Sequence, residues 1–132
     1  MKLTTQRLVL RDVERGDAGD LAKQANNLNI SRFLLMVSYP YTKSVAQRFI
    51  GHCIEEAKKK PRVKYEFGIT LREEDRVIGM IGLTGIKKFE GTATIGYWLG
   101  EDYWRNGYMT EALERVINFA FDRLRLRRID IS

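Results

Sequence analysis

Apolar residues recur along the chain with the two periods that distinguish strands from helices. Residues 7–13 alternate between polar and apolar side chains and predict a strand. Residues 15–27 predict a turn followed by a helix, in which Asp17 is the N-cap. Residues 44–57 place apolar side chains at i, i+3, i+4 and i+7, which predicts a second helix that Ser44 caps.

The middle of the chain is predicted to form three consecutive strands. Residues 65–71 alternate, residues 76–86 are almost continuously apolar, and residues 93–99 form the third strand pattern. A polar turn at residues 72–75 and a loop around Gly91 separate them. Short connections of this kind join antiparallel neighbours, so we expect an antiparallel meander whose middle strand is buried on both faces.

The longest helical pattern begins directly after Gly107, with Glu111 on its outer face. Its apolar stripe, about four turns long, consists of Met109, Ala112, Leu113, Val116, Ile117, Ala120, Phe121 and Leu124. Residues 127–132 predict a last strand, which a helical crossover places parallel to the strand before it. The order β-α-α-β-β-β-α-β therefore predicts one α/β domain over residues 1–132, with a mixed, mostly antiparallel twisted sheet and flanking helices.

Composition narrows the classes of protein and of site that the chain can represent. Hydrophobic residues make up 44% of the 132 positions and charged residues 30%, as in soluble globular proteins, and no apolar run could cross a bilayer. We therefore expect no membrane association and a cytoplasmic location. Cys53 is the only cysteine and His52 the only histidine, which excludes an internal disulfide and a metal site built from cysteines or several histidines.

The net charge of +6 comes largely from two basic clusters, at residues 58–64 and 123–128. The first is typical of a solvated helix end, and the second alternates with leucines and belongs to packed structure. A phosphate-bearing ligand or nucleic acid is the alternative explanation of such charge. Nucleic acid is disfavoured, because the aromatic residues lie within the strand and helix patterns and not between basic residues on one face.

The stretch YWRNGYMTEAL, residues 103–113, is the strongest candidate for a binding site. Gly107 precedes the long helix, and a helix N-terminus presents unpaired N–H groups and a partial positive charge, as at phosphate sites. Arg105 adds a mobile positive charge, and the missing side chain of Gly107 leaves room for close approach to the backbone. On the local residues alone a flexible helix start is the favoured interpretation, since a lone glycine before a helix is weak evidence and neither GxxxxGK(S/T) nor GxGxxG occurs.

Four segments, in order along nearly the whole chain, resemble one family: residues 4–21, 39–50, 67–83 and 95–129. They are similar to the Gcn5-related N-acetyltransferases, and most of all to the branch of ribosomal-protein N-terminal acetyltransferases. The resemblance implies the acyl-CoA N-acyltransferase fold and acetyl-CoA as co-substrate. It also implies acetylation of a primary amine, either the α-amino group of a protein or a small amine. The alternative is a non-catalytic CoA-binding or protein-interaction module on the same fold.

The same resemblance implies cofactor contacts residue by residue. In the family a bulged strand pairs its backbone with the pantetheine arm, and the following loop and helix start wrap the pyrophosphate. The strand contacts are expected at Tyr97, Trp98 and Leu99, with the backbone N–H of Leu99 as donor to the oxyanion. The pyrophosphate contacts are expected at Arg105, Asn106, Gly107, Tyr108, Met109 and Thr110. Two residues depart from the family pattern: Trp104 replaces a Gln or Arg, and Met109 replaces a small residue and is expected to turn into the core.

No side chain is predicted as the general base. Relatives often carry a glutamate where this chain has Thr94, and a threonine hydroxyl cannot accept a proton at neutral pH. Glu66 is a substitute candidate, although a solvated strand carboxylate is the favoured interpretation. His52 is interpreted as a surface residue and Cys53 as a buried small hydrophobe. Deprotonation of the amine through water would need no dedicated base.

The C-terminal part and the acceptor pocket are the least defined parts of the expected fold. The family continues beyond this point with a loop, a short helix and a final hairpin. A fragment is the favoured explanation of the end at Ser132; a reduced domain and a homo-oligomer that covers the last strand are the alternatives.

The acceptor pocket is expected in the helical region 26–42. Its apolar residues line that pocket or pack onto the sheet: Phe33, Leu34, Leu35, Met36, Tyr39 and Tyr41.

Overall fold

The fold is built on one mixed β-sheet, seen in a computed structural model that describes residues 1–32 and 38–131. Within those residues, six strands lie side by side in the order of the chain. Every neighbouring pair is antiparallel except the last, which is parallel. The strands are β1 (Lys2–Thr4), β2 (Leu8–Asp12), β3 (Tyr65–Leu71), β4 (Glu74–Lys87), β5 (Thr92–Leu99) and β6 (Arg128–Ile131).

Helices cover both faces of this sheet. In the described ranges they are α1 (Ala18–Ala25), α2 (Leu28–Ser31), α3 (Lys43–Ala57) and α4 (Tyr108–Asp122), with short 3₁₀ turns at Arg15–Asp17 and Glu101–Tyr103. Helices α1 and α3 pack together with Val77 and Met80 on one face, and α4 packs on the other. None of the helices described has the length and apolar character needed to span a bilayer.

The architecture confirms the predicted mixed sheet, the antiparallel meander of β3, β4 and β5, and the parallel last strand. Two short elements are missing from the predicted order, although α2 lies in the region 26–42 that was expected to be helical. Strand β1 buries only Leu3, which is too little to form a pattern, and it exists because it pairs with β2. Helix α2 spans four residues and begins at Asn27, whose side-chain oxygen accepts the N–H of Asn29 at 2.7 Å. The predicted fifth strand is therefore the sixth.

Of the two predicted helix caps, Ser44 was wrong and Asp17 was right in position, although its side chain does not cap the helix. Helix α3 is capped by Thr42 and not by Ser44, since the Thr42 hydroxyl oxygen accepts the N–H of Val45 at 3.2 Å. Asp17 stands at the N-cap position of α1, but its carboxylate does not cap that helix. It accepts the N–H of Glu14 at 2.7 Å instead.

The Asp17 carboxylate is held by a buried ion pair that fixes α1 to the sheet. Both terminal nitrogens of Arg11, on β2, donate to its two oxygens at 2.8 Å. Burial alone would raise the pKa of Asp17, but the Arg11 guanidinium and the Glu14 N–H hold that pKa below its usual value. A forked pair of this kind is a strong anchor, and Arg11 Nε also donates to Asp75 Oδ1 at 2.9 Å.

The apolar stripe of α4 also differs from the prediction. Phe119 is 2% exposed, whereas the predicted Phe121 is 40% exposed. Seven residues bring a helix back to nearly the same face, so Phe119 continues the line of Ala112, while Phe121 is turned away by roughly 140° from Val116. Phe119 packs edge-on against Tyr65 of β3, with 5.3 Å between the ring centroids. This contact fixes α4 on the sheet and so fixes where the helix begins.

Candidate active site

The C-terminal half of β5 has an open edge. Strand β6 pairs only with residues Thr92–Ile95 of β5, which continues to Leu99. The N–H of Gly100 donates to Ile78 on the opposite side at 2.7 Å, and backbone groups alternate between the two edges of an antiparallel strand. The N–H and C=O groups of Tyr97 and Leu99 therefore point away from β4, to a side where no strand lies in the described part of the chain.

This opening does not come from a bulge in β5, as the family resemblance had implied. The pairing of β4 with β5 is regular from Gly79 opposite Leu99 to Thr84 opposite Thr94. The one shift in that pairing lies between Thr84 and Lys87, near the far end of the hairpin. Among the described residues, which end at Ile131, no strand pairs with β5 beyond Ile95 on this side.

A cavity of about 460 Å³ adjoins the open edge. It contains eight of the nine residues predicted to contact the cofactor; Asn106 is the exception. Four further residues complete its wall: Asn29, Ile30, Tyr103 and Trp104. Asn29 and Ile30 lie in the region 26–42 and Tyr103 opens the stretch 103–113, but none of the three was predicted as a cofactor contact, because the packing of the α2 region against the 3₁₀ turn brings them together. The lining residues are Asn29, Ile30, Tyr97, Trp98, Leu99, Tyr103, Trp104, Arg105, Gly107, Tyr108, Met109 and Thr110.

The N-terminus of α4 faces this cavity without a side-chain cap. Gly107 is the N-cap residue, and its carbonyl accepts the first intrahelical bond, from the N–H of Glu111 at 3.1 Å. The N–H groups of residues 108–110 have no acceptor within the helix. The helix dipole adds partial positive charge at the same place. Unpaired amides and positive potential together favour an anionic group such as a phosphate.

The loop before α4 has an unusual backbone that its own side chains hold in place. Arg105 and Gly107 both adopt left-handed conformations, with φ of 66° and 78°. The side-chain amide of Asn106 donates to the carbonyls of Tyr103 and Trp104, at 3.1 Å each. Asn106, predicted to contact the pyrophosphate, therefore lies outside the cavity wall and shapes the loop.

Trp104 joins this loop to the end of β5. Its indole N–H donates to the carbonyl of Leu99 at 2.7 Å. The side chain thus occupies one backbone group of the open edge, which leaves the N–H of Leu99 facing the cavity. Met109 packs against the hydrophobic core, as predicted, and also lines the cavity.

A clamp formed by Arg7 and Glu111 ties the N-terminal segment to the start of α4. The Arg7 side chain bonds Glu111 Oε1 at 2.7 Å and the carbonyl of Asn106 at 2.8 Å, and it lies over the Tyr108 ring. The backbone N–H of Arg7 donates to Glu111 Oε2 at 2.8 Å, and the Thr5 hydroxyl donates to the same oxygen. Glu111, predicted on the outer face of α4, is largely covered there by partners more than 100 positions away in sequence.

The residues proposed for the acceptor pocket separate into three groups. Phe33, Leu34, Leu35 and Met36 lie outside the described residues. Tyr41 is buried against α3, and Tyr39 is 52% exposed. From the same region, Asn29 and Ile30 do reach the cavity wall, and the side-chain amides of Asn27 and Asn29 both donate to Glu101 Oε1.

Three other candidate residues lie on the α3 face of the sheet. Burial raises the pKa of the Cys53 thiol to about 12, and its side chain is part of the packed layer. His52 Nε2 lies 3.1 Å from Lys64 Nζ. Glu66, interpreted as a solvated carboxylate, is instead only partly exposed, and burial raises its pKa. The residues described contain no cluster of three or more metal-ligand side chains.

Known proteins share both the sequence pattern and this architecture. The model of the acetyltransferase (GNAT) domain matches residues 7–132. The chain is 31% identical over 128 residues to the uncharacterized N-acetyltransferase p20 of Bacillus licheniformis, across 97% of this chain and 70% of that protein. It is 37% identical over 60 residues to the ribosomal-protein-serine acetyltransferase of Escherichia coli, across 46% of this chain and 34% of that one.

A solved structure extends the similarity to the fold. RimL, a ribosomal L7/L12 alpha-N-protein acetyltransferase in complex with coenzyme A, superposes with a TM-score of 0.84. The match covers 99% of this chain and 73% of that chain at 18% identity, so it concerns the fold alone.

Proposed function

The chain belongs to the GNAT family of acetyltransferases, and on that premise we propose that it transfers the acetyl group of acetyl-CoA to a primary amine. The observation that carries the proposal is the cavity between two sets of unpaired backbone groups. One set is the open edge of β5 at Tyr97 and Leu99, and the other is the uncapped start of α4 at residues 108–110. An extended amide-containing arm fits the first, and a diphosphate fits the second.

Acetyl-CoA has the chemistry that this arrangement can bind. Its pantetheine arm carries amides that can pair with the free N–H and C=O of Tyr97 as an added strand would, while the Leu99 carbonyl already accepts from Trp104. Its diphosphate would lie at the start of α4, where Arg105 adds positive charge to the amides of residues 108–110. The absence of a side chain at Gly107 lets the phosphates approach the backbone closely. The cavity residues therefore fit this co-substrate.

In this arrangement the thioester carbonyl would lie at the end of the pantetheine arm, beside Leu99. A neutral amine attacks the carbonyl carbon, the new C–N bond forms, and negative charge develops on the carbonyl oxygen. The N–H of Leu99 points to the open side and can donate to that oxygen. A donor of this kind is worth about 3 kcal/mol of transition-state stabilisation. The C–S bond then breaks, the nitrogen loses the proton that the attack left on it, and the departing thiolate takes up a proton.

We propose a peptide or protein α-amino group as the acceptor, with a small primary amine as the alternative. The support comes from the similarity to RimL and to the ribosomal-protein-serine acetyltransferase, whose names specify protein acceptors. Asn29 and Ile30 place the α2 region at the cavity wall, where an acceptor would approach. A non-catalytic CoA-binding module is the second candidate function, and Thr94 favours it because a hydroxyl is not a base at neutral pH.

Calorimetry and a transfer assay distinguish these functions. We expect acetyl-CoA to bind, and acetyl-pantetheine, which lacks the diphosphate, to bind at least about a hundredfold more weakly, the value of one or two charge-assisted hydrogen bonds. Release of free thiol is then measured with N-terminal peptides and small amines as acceptors. Thiol release with an amine supports the transferase; binding without release supports the module. No binding of acetyl-CoA at millimolar concentration contradicts both.

A further inference from the structure

Glu66 extends across the sheet over a row of glycines. It lies opposite Gly82 of β4, and Gly82 in turn lies opposite Gly96 of β5. A Cβ atom built on Gly82 would come within 2.7 Å of Glu66 Oε1. The carboxylate therefore lies directly over β4 and points toward β5, in space that any larger residue at position 82 would fill.

The surroundings of this carboxylate are unusual for a structural charge. Among the described residues it makes no hydrogen bond and no ion pair, although it is partly buried. Every fully buried side-chain oxygen among the described residues has a hydrogen-bond partner. The Glu66 oxygens have none, so they are not fully buried and still reach water. Structural carboxylates in such positions are normally paired. An unpaired, water-accessible carboxylate is what a proton acceptor needs.

Few charged groups face Glu66 from the elements packed around it. Burial raises its pKa, and Lys64, which immediately precedes β3, acts in the opposite direction. Lys64 Nζ is itself in contact with His52 Nε2 of α3 at 3.1 Å. Cys53, also of α3, is a neutral thiol because its pKa is about 12. Glu66 thus has no fixed cation bound to it that would keep it from accepting a proton.

The glycine row leads from Glu66 to the proposed reaction centre. Gly96 immediately precedes Tyr97, where the open edge of β5 begins. Strands are spaced about 4.8 Å apart and a strand rises about 3.3 Å per residue, so a carboxylate over Gly82 lies roughly 12 Å from a thioester beside Leu99, which is three residues beyond Gly96. An amine attacking that thioester from the α3 face would lie between the two. A chain of about two or three water molecules would connect the amine to the carboxylate.

We propose that Glu66 is the general base of this enzyme and accepts, through water, the proton that the substrate ammonium must lose. The inference rests on the proposed acetyl transfer. The ammonium gives one proton to water, and the water gives one to Glu66. The neutral amine then forms the C–N bond, the C–S bond breaks, and the nitrogen loses its second proton. One of the two protons ends on the leaving thiolate and the other is released to solvent.

The test compares Glu66→Gln with wild type in the thiol-release assay, using the peptide or amine that wild type acetylates best. Glu73→Gln is the matched control, because Glu73 is exposed in the turn between β3 and β4. We expect Glu66→Gln to lower kcat/KM by roughly a hundredfold to ten-thousandfold. Calorimetry should give unchanged acetyl-CoA affinity for both variants. Activity of Glu66→Gln within about threefold of wild type, a barrier change below 1 kcal/mol, would overturn the proposal.

The pH profile provides a readout that a structural role would not change. In wild type, kcat/KM should fall at acid pH with an apparent pKa above the usual value of a glutamate. This limb should stay in place for two acceptors with different amine pKa values and should be absent in Glu66→Gln. A limb that moves with the acceptor, or that persists in the variant, contradicts the assignment. If wild type acetylates no amine, the proposed function fails and this inference fails with it.

Discussion

Gly107 offers the most direct test of the proposed diphosphate site, through Gly107→Ala and Gly107→Glu. The residue has a left-handed backbone with φ of 78°, at the N-cap of α4 and in the cavity wall. A Cβ atom at this position costs about 1–2 kcal/mol in backbone strain. The melting temperature of a domain of this size should therefore fall by roughly 3–8 °C in the alanine variant.

The two variants should differ in their effect on ligand affinity. The methyl group of Gly107→Ala would keep one phosphate from approaching the backbone closely enough to accept a hydrogen bond. The loss of one charge-assisted hydrogen bond weakens binding by roughly ten- to a hundredfold. Gly107→Glu adds a negative charge at about 5 Å from each phosphate, which costs roughly 3 kcal/mol per phosphate charge at an effective dielectric constant near 20. Binding of acetyl-CoA by the glutamate variant should be undetectable.

The two Gly107 variants should rank differently in thermal stability than in acetyl-CoA affinity. The Cβ built on Gly107 lies 3.3 Å from Arg7 Nη2, so a glutamate there can pair with the Arg7 guanidinium. We therefore expect Gly107→Glu to be at least as stable as Gly107→Ala while binding acetyl-CoA far more weakly. Thermal unfolding gives the stability and calorimetry gives the affinity.

Gly85 provides the matched control. It too has a left-handed backbone, with φ of 59°, but no atom lies within 4 Å of its added Cβ and it is not part of the cavity wall. Gly85→Glu carries the same strain and the same change in charge, and should bind acetyl-CoA like wild type. Normal affinity in Gly107→Glu, or equal losses in both glutamate variants, would show that the phosphates are not held at the start of α4.

Two further predictions concern the ion pairs that hold the site in place. Asp17→Asn leaves the buried Arg11 with less compensation, and the free energy of unfolding measured in urea should fall by about 3 kcal/mol. The pKa of Asp17 is lower in the folded protein than in the unfolded chain, where it is near 3.9. The stability that Asp17 provides is therefore fully present above the unfolded pKa and is lost as the pH falls through the folded pKa. The Asp17→Asn variant should lack this dependence on acid pH. Glu111→Gln weakens the clamp with the partly exposed Arg7, and we expect a loss of about 1 kcal/mol in stability together with lower acetyl-CoA affinity. An unchanged value in either urea titration would mean that the pair does not support the fold.

The elements with long patterns were predicted correctly in type and order. Strands β3 to β5 and helix α4 each carry an alternation or a stripe over seven or more residues, and their type and order were confirmed. Predictions of individual cap and core residues were wrong where two neighbouring residues could fill the same position. Thr42 and Ser44 are both good caps, and Phe119 and Phe121 are both large and apolar, so only the exact start and rotation of the helix decide between them.

The parts of the site that the sequence missed depend on contacts between distant segments. Nothing near Arg7 indicates that its partner is Glu111, because the pairing follows from where β2 lies relative to α4. The burial of Glu66 likewise depends on glycines in two other strands. Local sequence indicates that a residue is charged or small, whereas the register of the sheet decides what that residue faces.

The clamp between Arg7 and Glu111 couples ligand binding in the cavity to the attachment of strand β1. If occupancy of the cavity stabilises the loop at Asn106, the same free energy must oppose detachment of β1 and the segment that follows it. Amide hydrogen exchange at Lys2–Thr4 should then slow when acetyl-CoA is present, although the ligand would not touch those residues. The N-terminal hairpin would serve as a natural reporter of occupancy, and a fusion partner placed there would perturb affinity.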